Sequence, residues 1–112
     1  MKNFMLIFRF QPDPNFQMTP EQEAESGKQW GNWIGSIAHQ GKFVSTAQLG
    51  FTGAVLQTDL SSSDGIYTAN STAIGGNMVI KTDSQSDALD ISKGCPILEM
   101  GGSVEVREIL PM

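Results

Sequence analysis

The sequence holds one cysteine and one histidine. A lone cysteine forms no internal disulfide, and with one histidine it falls short of a zinc site of its own. Neither a metal nor a disulfide framework is therefore expected, and the chain reads as one that works reduced, in the cytoplasm. Bases are also scarce: seven against twelve acids, for a net charge of −5. Binding to nucleic acid or to anionic lipid calls for a basic surface, so this balance argues against both partners. No apolar run approaches the roughly 20 residues of a membrane span. The opening stretch to Phe10 is short, is interrupted by Arg9 and lacks a small-residue cleavage site, which argues against a signal peptide. There is no P-loop or GxGxxG pattern. Gly75-Gly76 lacks the rest of either, so no cofactor is expected.

What is present suffices for one core. Of 112 residues, 39% are hydrophobic, which fits a single domain over residues 1–112. Lys2–Phe10 alternates Phe4, Leu6, Phe8 and Phe10 with Asn3, Met5, Ile7 and Arg9, the period of a strand. Pro12 and Pro14 break it. Thr19-Pro20-Glu21-Gln22 is a capping box with proline at the first helical position. The helix is expected to run to about Gln40 and stop at Gly41. On a wheel of about 100° per residue, Trp30, Ile34, Ile37 and Ala38 share one face, with Trp33 at its edge. Gly27, Gly31 and Gly35 form a neighbouring stripe. Three glycines there predict either a close packing contact or room for a ligand beside the tryptophans.

Phe43–Phe51 reads as a second strand, with Phe43, Ser45 and Ala47 on one face and Val44, Thr46 and Gln48 on the other. Ala54–Asp59 reads as a third strand pairing back on it as a hairpin. Residues 60–72 are rich in Ser, Asp, Asn and Thr and read as a loop. Ile74–Thr82 is a fourth strand. Ser84-x-x-Asp87 caps a short helix to about Lys93, closed by Gly94 and Pro96. Gly101-Gly102 turns into a last strand, Ser103–Leu110. The order β-α-β-β-loop-β-α-β predicts an α+β fold: a ferredoxin-like split βαβ sandwich, with two helices on one face of an antiparallel sheet.

The other face needs its own explanation. In the last strand Val104 and Val106 suit the core, which turns Glu105 and Arg107 to the opposite side. Arg9, Thr46, Gln48, Gln57, Asn77 and Lys81 are candidates for the same face, mixed with Met5, Ile7 and Val79. Such a mixture predicts a homodimer packed sheet to sheet around a wet cleft.

The stretch Gly94–Ile109, GCPILEMGGSVEVREI, resembles the end of the DGPF-domain, YCII-related proteins. Asp64-Gly65-Ile66-Tyr67 stands where the DGPF motif belongs, with Ile for Pro and Tyr for Phe. Trp30-x-x-Trp33, Gly41-Lys42-Phe43 and Ile74-Gly75-Gly76 are also similar to that family. The resemblance spans about residues 2–110 and implies a dimeric α/β barrel. It implies no settled activity. The His–Asp pair of YCII-type relatives has no counterpart here that matches residue by residue.

Several residues are chemical candidates. His39 lies away from the apolar face, in the last helical turn: a surface residue, or a base facing the cleft. Cys95 reads as a small buried residue, because no base is placed beside it. Asp64 and Tyr67 read either as a turn or as a loop over the cleft mouth, Asp64 then being a catalytic candidate alongside His39. Glu105 and Arg107 form either an interface ion pair or a ligand-binding pair. Trp33 adds ring surface for a small organic ligand. Two functions follow: small-molecule binding, with or without cofactor-free catalysis, between sheet, loop 60–74 and partner subunit; or a non-catalytic dimeric module.

Overall fold

The computed structural model describes residues 1–13 and 15–112; Pro14, half of the expected strand-breaking pair, lies outside them. Strand β1 (Lys2–Phe10) is followed by helix α1 (Pro20–His39), β2 (Phe43–Gln48), β3 (Ala54–Leu56), β4 (Ser62–Asp64), β5 (Ala73–Thr82), α2 (Gln85–Ser92), a 3₁₀ turn (Pro96–Met100) and β6 (Ser103–Glu108). Four strands form one sheet in the order β2-β5-β1-β6, antiparallel throughout. With two helices this is a ferredoxin-like α+β fold.

Local chemistry sets the helix boundaries. The Thr19 hydroxyl accepts from the Gln22 amide at 3.1 Å while the Gln22 side chain accepts from the Thr19 amide at 2.9 Å. Gly41 leaves the helix at φ 73°, a conformation that suits glycine. Ser84 caps α2 by accepting from the Asp87 amide.

The core lies between the sheet and the helices. Phe4, Leu6, Phe8, Met78 and Ile80 point into it and are buried. Val104 and Val106 pack against them from β6. Trp33 stands edge-on to Phe8, and its indole N–H donates to the Ile91 carbonyl at 3.0 Å, which ties α1 to α2. Gly94 runs so close beneath that ring that an added Cβ would sit 3.0 Å from Cδ1.

Several expectations are corrected. Trp33, expected at the edge of the α1 face, is buried together with the expected Ile37, Trp30 and Ile34 pack half-buried against the same core, and Ala38 is exposed. Hydrophobic spacing allowed either rotation of the helix; the bond to Ile91 selects one. The Gly27, Gly31 and Gly35 stripe faces open space, with nothing within 4 Å of an added Cβ, so no close contact explains it. β2 ends at Gln48 rather than Phe51, and a bulge between Phe43 and Ser45 flips its faces. Ser45 and Ala47 therefore stand on the outer face, opposite Val79 and Asn77, and Thr46 and Gln48 do not. β3 does not pair back on β2. It pairs with β4, inside the segment expected to be a loop, and Gln57 sits in the turn between them.

Residues 49–72 thus form an arm beyond the end of the sheet, rooted by Leu49 bonding to Gly75 and by Phe51 standing edge-on to Phe10. The radius of gyration is 15.6 Å, against about 13 Å for a compact domain of this length. The smallest dimension, 20 Å, accommodates the sheet and one helix layer.

Candidate functional site

The outer face of the sheet is built by register. Met5 pairs with Val79 on one side and Arg107 on the other; Ile7 pairs with Asn77 and Glu105; Asn3 pairs with Lys81. Directly opposed residues share a face, so these side chains form one continuous surface. Met5, Ile7 and Val79 make a half-buried apolar strip along its middle. Arg9, Lys81 and Arg107 bring three cations to this face, and Glu105 brings one carboxylate.

That carboxylate is shared. Glu105 Oε1 lies 3.8 Å from an Arg9 guanidinium nitrogen, and Glu105 Oε2 lies 3.9 Å from Arg107 Nε. Both contacts are long, and the Arg107 side chain is 70% exposed. The face keeps an excess of positive charge in a chain whose net charge is −5. Among the described residues, Lys81 is the outer-face cation without an ion-pair partner, and it is half-buried.

The expected site residues separate into three places. Glu105 and Arg107 are together on the outer face. Asp64 and Tyr67 are on the arm. Asp64 ends β4 opposite Ala54, and Gly65 follows at φ 107°. The Asp64 carboxylate does not close a turn on its own backbone as expected: it has no hydrogen-bond or ion-pair partner among the described residues. Asp59 does make such a turn, accepting from the Ser61 hydroxyl at 2.6 Å and from its amide at 3.0 Å. These bonds, the hydroxyl's first, hold its carboxyl below the usual range. Trp33 is in the third place, the helix layer, and is corrected as a member of an outer-face site: its ring is buried in the core and its N–H is engaged.

Nucleophile and base chemistry is poorly served. Cys95 is buried, and desolvation pushes its thiol up to about 11, with a backbone bond from Ile97 opposing. His39 is the exposed last residue of α1. No cluster of three or more metal-ligating side chains occurs among the described residues. Two shallow depressions lie on the helix side, of about 350 Å³ beside α2 and β6 and about 380 Å³ beside Trp33 and Gly94. Neither includes Asp64, Tyr67, Glu105 or Arg107. No helix among the described residues is long and apolar enough to cross a membrane.

Sequence reasoning named Lys81 only as one of several outer-face candidates. The signal that singles it out is electrostatic, a cation opposite Asn3 while the carboxylate of this face stands four residues along β1, opposite Ile7, and this needs the register of three strands. Comparison with known proteins returns no matching family model and no matching curated sequence.

Proposed function

We propose that this chain is a YCII-related, DGPF-like homodimer that binds a small anionic organic molecule on the outer face of its sheet, in a cleft completed by loop 60–74 and the partner subunit. The observation that carries the reading is Lys81: a half-buried cation without an ion-pair partner among the described residues, beside the apolar Met5–Val79 pair and across from the Asn3 amide. A carboxylate on an apolar body matches it, with the charge at Lys81 and Asn3 and the body over the strip. The reading is one of binding rather than covalent catalysis, because the cysteine is buried and protonated and no base stands beside it. A regulatory or interaction module that responds to such a ligand fits this chemistry better than a cofactor-free enzyme. One buried, unpaired cysteine suits a reducing compartment such as the cytoplasm.

Benzoate is a suitable probe. Titrated to millimolar concentration, it is expected to shift the methyl NMR signals of Met5, Ile7 and Val79, and Lys81→Gln is expected to weaken this binding about tenfold while leaving the melting temperature unchanged. Methyl signals that stay fixed at saturating benzoate, or shifts that survive Lys81→Gln unaltered, would overturn the reading.

A further inference from the structure

The arm is the part of the molecule that the folding of one chain does not account for. Leu56, Leu60 and Tyr67 are large, apolar or aromatic, and exposed. Leu60 is the extreme case: it is 79% exposed and sits at the hairpin tip with φ 71°. A left-handed backbone disfavours a leucine, and glycine or asparagine would be the ordinary choice there. An apolar side chain held in water on a strained turn marks a surface that something else covers.

Charge indicates what covers it. Residues 43–80 contain no Lys, Arg or His, and the arm carries Asp59 and Asp64. The outer face of the sheet has the opposite sign, with Arg9 and Arg107 dividing one carboxylate. Asp59 is engaged by Ser61, whereas Asp64 is unpartnered among the described residues. Area points the same way. Four strands at about 4.8 Å spacing give a flat footprint of roughly 500 Å², and docked arms extend the contact beyond the sheet toward the roughly 800 Å² of accessible surface per partner of a standard interface.

We infer that the arm of each protomer docks on the outer sheet face of a second copy, exchanged about a two-fold axis, so that Asp64 of one chain pairs with Arg107 of the other and Leu60 and Tyr67 roof the partner's apolar strip. This rests on the proposed outer-face site and assigns its missing wall: the cleft is closed in trans, and no chain completes it alone.

The test uses charge reversal and mixing. Wild type is expected at twice 12.1 kDa by light scattering at micromolar concentration. Arg107→Glu alone and Asp64→Lys alone each place two like-charge contacts in a homodimer, and each is expected to raise the dimer Kd at least tenfold. Mixing the two variants restores opposite charges at both contacts, so the mixture is expected to recover the dimer as a heterodimer. Pairing within one chain would leave the mixture as weak as its components. Leu60→Gly relieves the strained tip, so it is expected to fold at least as well as wild type and still to weaken the dimer. A monomeric wild type, single variants that dimerise normally, a mixture without recovery, or Leu60→Gly with unchanged dimer affinity would each overturn the inference. Mass is read without benzoate, so failure here and failure of the ligand reading are separate results.

Discussion

The sheet and the arm use the same kinds of residue to opposite ends. In the sheet, Phe4, Leu6, Met78 and Ile80 are wholly covered by two helices that caps and a tryptophan hydrogen bond hold in place. In the arm, Leu56, Leu60 and Tyr67 are in water. Burial of a large apolar side chain contributes about 1.5–3 kcal/mol, so the sheet stabilises the chain and the arm does not. The contrast teaches that apolar content alone does not define a core. Two three-residue strands paired only with each other have no second layer to pack on.

The comparison breaks most visibly by truncation. Trp33→Ala is expected to destabilise by about 3–5 kcal/mol, and by more than Trp30→Ala, because it also removes the indole hydrogen bond that ties α1 to the Ile91 carbonyl. Leu56→Ala, measured by urea denaturation where the chain is dilute, should stay within about 0.5 kcal/mol, and its effect should grow with protein concentration if the arm is covered in trans. Equal losses at Trp33 and Leu56 in dilute solution would erase the distinction.

Glycines sharpen it at smaller scale. An added Cβ at Gly76 would sit 2.6 Å from the Ala47 carbonyl oxygen, a backbone atom in the middle of the sheet. Gly76→Ala should therefore cost about 1–3 kcal/mol. Gly31 is helical and has nothing within 4 Å of an added Cβ, so Gly31→Ala should raise stability by about 0.5–1 kcal/mol. A loss at Gly31 would mean that something packs on the stripe. The last effect, absent at neutral pH, is a pH slope from the core thiol. Its pKa of about 11 exceeds the ordinary 9.0, so its contribution is complete below pH 9 and is lost as pH rises toward 11, where the unfolded chain releases a proton that the folded chain retains. Urea titrations from pH 8 to 11 should show a steeper loss for wild type than for Cys95→Ala.

Wherever a neighbour in sequence supplies the physics, the sequence alone determined the outcome. The Thr19–Gln22 box, the Ser84 cap, Gly41 at φ 73° and Gly101 at φ 82° act within a few residues, so both helices and the turn into β6 were legible. Alternation in β1 and β6 set Phe4 and Leu6 against Met5 and Ile7, and Val104 and Val106 against Glu105 and Arg107, because a strand's side-chain period is two whatever it pairs with. Only the tertiary structure decided what depends on a partner far along the chain. The Val44 bulge moved Thr46 and Gln48 off the outer face, because the register is fixed by β5 and not by β2 itself. The rotation of α1 was settled by a carbonyl 58 residues away. β3 chose β4 over β2 because the turn at residues 57–61 closes locally, through the Gln57 amide to the Ser61 carbonyl and the Ser61 bonds to Asp59. That Lys81 lies opposite Asn3, four residues along β1 from the position that Glu105 faces, is visible only once β5, β1 and β6 lie side by side, since a charge balance belongs to a surface and not to a segment.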